Sequence, residues 1–134
     1  MTETPASVSA WLGKAEHDLA GAEKLAQGGD PYWDLVVFHA QQAVEKFFKA
    51  LLVVNGERPP KTHDLVKLLE LAAEFAPQLD VFRADCEFLS PLALMARYPG
   101  YDLASPETDG TRGLDIARRV KSAVRPLITP SANA

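Results

Sequence analysis

The chain is organised around residues 38–52, FHAQQAVEKFFKALL, which lie within a longer helical stretch over 30–56. Apolar residues recur there at alternating three- and four-residue steps, the period of one helix face. Those on the face are Val37, Ala40, Val44, Phe47, Leu51 and Val54, and those that widen it are Val36, Ala43, Phe48 and Leu52. This width predicts a central helix packed on more than one side. Asp30 is the predicted cap, Pro31 the first helical residue and Gly56 the residue after the last turn.

Four other segments repeat apolar residues at the same helical period. They are predicted over 8–27, 62–77 and 82–96, and from 105 to about 127, where Pro126 and Pro130 mark the end. Thr62 is the predicted cap of the third helix, with His63 in its first turn, and Ser105 caps the last. Because proline disrupts a helix interior, Pro91 predicts a break or kink near Ser90.

No segment of any length alternates apolar and polar residues between turns, so no sheet is predicted. The fold class is therefore all-α, an up-and-down bundle of four long helices plus a short or kinked segment near Pro91. The 134 residues fit one domain with a real core. We expect this domain over 7–128, with flexible ends at 1–6 and 129–134.

The composition is ordinary for a soluble globular protein, with 47% hydrophobic and 24% charged residues. A net charge of −4 argues against strong general affinity for nucleic acid, although it leaves room for a local basic patch. The wholly apolar runs are far shorter than a membrane span, and the N-terminus lacks a signal-like pattern. These features predict a cytoplasmic protein with no membrane association.

No spacing typical of a metal, nucleotide-loop or nucleophile-elbow motif occurs. The single Cys86 cannot form an internal disulfide and lies at an apparent core position. We therefore expect no metal and no cofactor.

A polar stripe follows the central helix, because four residues are spaced by three, four and three positions and share one face. They are His39, Gln42, Lys46 and Lys49. This stripe either presents polar groups to a ligand or partner, or forms a solvated edge where long side chains cover the margin of the core.

Four residues outside the stripe suggest chemistry. His63 stands at a helix start, where it either acts as an acid or base or simply closes the helix end. Arg97 precedes a proline turn with Tyr98 and Tyr101, so the guanidinium could grip a phosphate while the tyrosines stack on a base. The alternative is a contact between Arg97 and Asp102, with the tyrosines packed on neighbouring helices.

Together these motifs resemble the HEPN domain (higher eukaryotes and prokaryotes nucleotide-binding). The resemblance rests on residues 38–46, 49–52, 62–65 and 97–99, with Trp11, Asp18 and Leu19 on the first helix, and it covers nearly the whole chain. It implies a helical bundle, commonly a homodimer, with a role connected to nucleotides or RNA. Family members often pair with a small nucleotidyltransferase, sometimes as a toxin–antitoxin couple.

Other members of the family are metal-independent endoribonucleases, and the sequence departs from their pattern. Their arginine is followed four to six residues later by a histidine, whereas Tyr101, Asp102 and Leu103 occupy those positions here. The modified tyrosine of some toxins follows that histidine, so its role is not transferred to Tyr101.

Three hypotheses follow. The first hypothesis is a homodimeric nucleotide- or RNA-binding module with a nucleotidyltransferase partner. The second is a metal-independent endoribonuclease that uses Arg97 with a histidine from elsewhere in the fold. The third is a purely structural helical oligomer. The candidate catalytic residues are Arg97, His63 and His39, and the candidate binding residues are Gln42, Lys46, Tyr98 and Tyr101.

Overall fold

The computed structural model describes residues 6–128, and these form five α-helices with no β-strand. The helices are α1 (Val8–Leu25), α2 (Trp33–Val54), α3 (Leu65–Phe75), α4 (Arg83–Met95) and α5 (Pro106–Ile128), and a 3₁₀ segment, Pro77–Phe82, precedes α4. The all-α prediction is confirmed. Three helices have 18 or more residues, whereas α3 and α4 have 11 and 13. The ends predicted to be flexible lie outside the described residues, except for Ala6.

Helix α2 is the centre of the fold and contacts each of the other four α-helices. Thirteen of its 22 residues are buried, which confirms that it packs on more than one side. Burying one large apolar side chain contributes about 1.5–3 kcal/mol. The largest buried apolar side chains of α2 are Phe47, Phe48, Leu51 and Leu52.

The start of α2 differs from the prediction. The helix begins at Trp33 rather than at Pro31, and its N-cap residue Tyr32 makes no side-chain capping bond. The backbone N–H of Tyr32 instead donates to the carbonyl of Leu25 at 3.3 Å. Residues 26–32 are therefore held as the turn between α1 and α2, and Asp30 is too early in the chain to cap the helix.

The start of α3 is also later than predicted. The carboxylate of Asp64 accepts hydrogen bonds from the backbone N–H groups of Val66 and Lys67, so Asp64 is the cap. Thr62 accepts from the N–H of Asp64 and stabilises the turn before the helix. His63 consequently lies in this turn and not in the first turn of α3.

Other predicted helix ends are confirmed. Gly56 follows α2 with a φ of +82°, the left-handed conformation that favours glycine. Helix α5 starts at Pro106, directly after Ser105. The N–H of Ser105 donates to the Asp109 carboxylate at 3.3 Å, and the N–H of Asp109 donates to the Ser105 carbonyl at 2.7 Å.

Two prolines lie inside helices instead of ending them. Helix α4 continues through Pro91 and α5 through Pro126, so the helix is not broken near Ser90, and the kink considered as the alternative there stays a prediction. Both prolines are exposed, so their rings face away from the core while residues such as Leu89 keep the helix packed. The irregular piece is instead the 3₁₀ segment before α4.

Two glycines allow α5 to pack closely. At Gly110 an added Cβ would lie 2.4 Å from Trp33 Cε3, and at Gly113 it would lie 3.3 Å from Leu89 Cδ1. Both glycines are buried. Although glycine lowers helix propensity, these two residues bring α5 against the start of α2 and against α4.

Replacing Gly110 with alanine is expected to lower the free energy of unfolding by about 1–3 kcal/mol, because Trp33 or α5 must move. The matched control is Gly13→Ala in α1, where the added Cβ meets nothing within 4 Å. This control should raise the free energy of unfolding by about 0.5–1 kcal/mol. Urea denaturation measures both, and equal stability of the two variants would contradict the close contact.

Candidate functional site

An open groove of about 600 Å³ lies between the start of α2 and the segment that follows α4. Residues 31–34 form one side, and residues 96–103 with Pro106 form the other. We call this site the Arg97 groove. It brings together parts of the chain that are more than sixty residues apart, and it contains three of the predicted site residues, Arg97, Tyr98 and Tyr101.

A tight turn displays two of the tyrosines. Gly100 has a φ of +92°, and the N–H of Tyr101 donates to the carbonyl of Tyr98 at 3.4 Å. Proline followed by a glycine with positive φ is typical of a type II turn, as Pro99 and Gly100 are here. Tyr98 and Tyr101 stand at the two ends of this turn and are 52% and 60% exposed. With Tyr32, which is 61% exposed, they give the groove three accessible aromatic rings.

Arg97 is available to a ligand. Its guanidinium carbon lies 5.5 Å from the centre of the Phe38 ring, a cation–π contact, and the side chain is exposed. Within residues 6–128 it has no carboxylate partner, and the contact with Asp102 considered from the sequence is not formed. Asp34 and Asp102 also line the groove without an ion-pair partner in that part of the chain.

Asp18 of α1 joins two residues of the predicted stripe on α2. Its Oδ1 lies 3.0 Å from His39 Nδ1, and its Oδ2 lies 2.5 Å from Lys46 Nζ. The Phe38 and His39 rings meet edge to face, with their centres 5.2 Å apart. Phe38 therefore contacts both Arg97 and His39, and the distances of 5.5 and 5.2 Å together limit the separation of those two residues.

A second polar cluster is buried along α2, and the sequence reasoning missed its centre. The Glu45 carboxylate, 4% exposed, accepts from Lys49 Nζ at 3.0 Å and lies 2.9 Å from His63 Nδ1. Gln41 donates to the backbone carbonyl of His63 at 3.0 Å and accepts from Gln42 at 2.8 Å. The spacing of Gln41, Glu45 and Lys49 by four residues is the signal that could have revealed the cluster.

The two clusters divide the candidate residues. His39 contacts Phe38, which in turn contacts Arg97, whereas His63 is held by Glu45 and makes no direct contact with Arg97 within the described range. The predicted stripe is also divided, because Lys46 contacts Asp18 while Lys49 is buried against Glu45 and the Trp11 ring.

Burial makes the only cysteine unreactive. It raises the pKa of the Cys86 thiol to about 12, with nearby Asp85 adding to the shift, so the thiol is neutral at physiological pH.

Among residues 6–128, no group of histidine, cysteine, aspartate or glutamate side chains has an arrangement that could hold a metal ion. None of the helices in that range combines the length and apolar character needed to span a membrane.

Comparison with known proteins finds a match to one family model and similarity to two solved structures. The model of the HEPN domain matches residues 8–127. TT1696 from Thermus thermophilus is 25% identical, with a TM-score of 0.77 over 90% of this chain and 97% of that chain. ST0689, an archaeal HEPN homologue, is 29% identical, with a TM-score of 0.71 over 92% of this chain and 98% of that chain. No curated protein matches the chain.

Proposed function

The chain belongs to the HEPN domain family, and from that premise we propose that it is a nucleotide- or RNA-binding module that binds in the Arg97 groove. The observation that carries the proposal is an exposed guanidinium without a carboxylate partner in residues 6–128, beside three exposed tyrosines. Guanidinium groups bind phosphate through two parallel hydrogen bonds, and aromatic rings stack on nucleobases.

The charges of the groove favour a short ligand. One arginine and two aspartates, Asp34 and Asp102, line it, so it lacks the positive charge that a long phosphate backbone requires. The aspartates can accept hydrogen bonds from the N–H groups of a base. We therefore propose a mononucleotide or a few nucleotides of single-stranded RNA as the ligand.

Two further candidate residues extend this surface along α2. Lys46 is 21% exposed and adds positive charge close to His39, although Asp18 neutralises part of it. Gln42 is half-buried and fixed by its bond to Gln41, which leaves its carbonyl oxygen as a second polar group on this face. We propose that both border the ligand, while Arg97 and the tyrosines hold it.

The proposed partners are a second copy of the chain and a small nucleotidyltransferase, as a toxin–antitoxin pair. The family resemblance supports this proposal, and so does an apolar hollow next to the groove that Leu94, 60% exposed, lines together with Met95, Tyr98 and Tyr101. Light scattering tests the homodimer, and pull-down from the native host tests the other partner. A monomer at every concentration, or recovery of no nucleotidyltransferase at stoichiometric levels, would contradict the respective proposal.

One observation favours a second candidate function, a metal-independent endoribonuclease. Arg97 and His39 contact the same Phe38 ring, so a phosphate held by the arginine would lie near an imidazole that could transfer a proton. His63 is less suited to this role because it lies in the second polar cluster, where it is held by Glu45 of α2. Cleavage of mixed RNA in the presence of a chelator tests this candidate, and intact RNA would exclude it.

Replacing Tyr98 with alanine is expected to weaken the binding of a short oligoribonucleotide about five- to tenfold, because a stacking surface is lost. Tyr98→Phe keeps the ring and should bind nearly as well as the wild type. Fluorescence anisotropy of a labelled oligonucleotide measures the affinities. Loss of binding in both variants would show that the hydroxyl group, and not stacking, is essential, and no loss in either would remove Tyr98 from the site.

A further inference from the structure

We propose that the Arg97 groove is selective for guanine and that Asp34 is the residue that reads the base. The inference rests on the proposed function and adds to it the class of nucleotide that binds. The carboxylate of Asp34 accepts two hydrogen bonds from the Watson–Crick edge of guanine, one from N1–H and one from the 2-amino group. The guanine belongs to a free nucleotide or to a single-stranded RNA, since both present the same edge.

The groove contains carboxylates but no side-chain amide that could read a base. Over residues 6–128, the charged side chains that line it are those of Asp34, Arg97 and Asp102, and no asparagine or glutamine is among the lining residues. An ionised carboxylate only accepts hydrogen bonds, whereas an amide both donates and accepts. The tyrosine hydroxyls and the Trp33 indole are single polar groups, so a carboxylate is the group here that can accept two parallel hydrogen bonds from a base.

Guanine is the common RNA base whose Watson–Crick edge presents two adjacent donors. Adenine and cytosine each place a ring nitrogen that accepts hydrogen bonds beside their amino group, and uracil places a carbonyl on each side of its N3–H. A carboxylate that faces any of these three edges meets a lone pair as well as a hydrogen, which opposes binding. A group that only accepts hydrogen bonds therefore favours guanine.

Asp34 is better placed than Asp102 to meet the base. Arg97 and Asp102 both belong to the 96–103 side of the groove, whereas Asp34 belongs to the 31–34 side. The phosphate and the Watson–Crick edge are at opposite ends of a nucleotide. A phosphate bound by Arg97 therefore directs the base across the groove towards Asp34, and an exposed tyrosine supplies the surface on which the base stacks.

The Asp34 carboxylate is free to accept these bonds. The side chain is exposed, and within residues 6–128 its carboxylate has no hydrogen-bond or ion-pair partner. Asp34 lies in the first turn of α2, the 22-residue helix at the centre of the fold, so its backbone is held more firmly than it would be in a loop. A negative charge is also favourable at this end of a helix.

The experiment compares three labelled oligoribonucleotides that carry guanine, hypoxanthine or adenine between the same flanking uridines, by fluorescence anisotropy in chelator. Hypoxanthine keeps the N1–H of guanine but lacks the 2-amino group. We expect the wild type to bind the guanine strand about five- to hundredfold more tightly than the adenine strand, with the hypoxanthine strand between them. Gels before and after the titration show that the strands stay intact.

The variant Asp34→Asn tests whether this side chain reads the base. Its amide presents one donor beside one acceptor, the pattern that pairs with the amino group and ring nitrogen of adenine, so the variant should bind the adenine strand at least as tightly as the guanine strand. A residue that only maintained the fold would weaken all three strands alike. The matched control is Asp30→Asn, the same change at an exposed residue that does not line the groove, and it should keep the wild-type ratio.

The outcomes separate the inference from the proposed function. Equal binding of the guanine and adenine strands by the wild type, or a guanine preference that persists in Asp34→Asn, would overturn the inference alone. Binding of no strand would overturn the proposed function and the inference with it.

Competition with GMP and AMP identifies the source of the guanine. Displacement of the guanine strand by GMP and not by AMP would support the inference with a free guanosine nucleotide as the ligand. A guanine preference among the strands that GMP does not displace would support it with single-stranded RNA as the ligand. Equal displacement by GMP and AMP would contradict a guanine-selective site.

Discussion

Replacing Arg97 with alanine is expected to weaken the binding of a short single-stranded oligoribonucleotide about ten- to hundredfold. Hydrogen bonds between a guanidinium and a phosphate are charge-assisted and roughly twice as strong as neutral ones. Because Arg97 has no carboxylate partner in residues 6–128, its charge is free to act on the ligand. Its removal should also leave the fold intact, since the side chain is exposed.

Two variants make this result specific. Arg97→Lys keeps the charge but loses the planar fork, so its affinity should lie between those of the wild type and Arg97→Ala. Arg118→Ala removes an arginine that is paired with Glu23 at 2.9 Å and lies outside the groove, and it should bind like the wild type. Titration at one fixed ionic strength compares them, and equal losses in Arg97→Ala and Arg118→Ala would indicate only a general charge effect.

The largest expected effect on stability comes from Glu45→Ala, which should lower the free energy of unfolding by about 3–5 kcal/mol. This change leaves the ammonium of Lys49, 7% exposed, without its carboxylate inside the core, and it also releases His63. Folded proteins are stable by only about 5–15 kcal/mol, so the loss is a large share of the total. Urea denaturation monitored by circular dichroism measures it.

A double variant separates the pair from the rest of the core. Glu45→Met with Lys49→Met removes both charges and should recover most of the loss, because no unpaired charge stays buried. The exposed pair between Glu23 and Arg118 is the control, and Glu23→Ala should cost about 0–1 kcal/mol. A double variant as unstable as Glu45→Ala would show that packing, and not the buried charge, causes the loss.

The sequence predicts the helical elements well because they depend on local periodicity. The central helix, the glycine after it and the start of the last helix all follow from patterns within a few residues. The errors arise where a tertiary contact overrides a local signal. Tyr32 is held by the carbonyl of Leu25 in the preceding helix, and Ser90, next to Pro91 in α4, accepts a hydrogen bond on its Oγ from the backbone N–H of Leu65 at 3.1 Å.

The candidate site is predictable only in part. Arg97, Tyr98 and Tyr101 adjoin one proline turn, so their grouping follows from the sequence, but the opposite wall at 31–34 depends on how α2 and the 96–103 segment meet. The role of Glu45 was not predicted because charged residues are rarely buried unless they are paired, and its partners Lys49 and His63 cannot be assigned from the sequence alone. The link between Asp18 and His39 crosses two helices, and nothing in the local sequence of either indicates it.

The most direct test of the proposed binding site is a nitrogen-15 NMR titration of the wild-type protein with a short oligoribonucleotide. The amide signals of residues 32–34 and of the non-proline residues in 96–103 should shift in a saturable manner. The internal reference is a separate cavity of about 280 Å³ lined by residues that include Leu52 and Phe75. The amide signals of those residues should not shift. Shifts confined to that reference region, or no shifts at saturating ligand, would contradict a nucleotide site in the Arg97 groove.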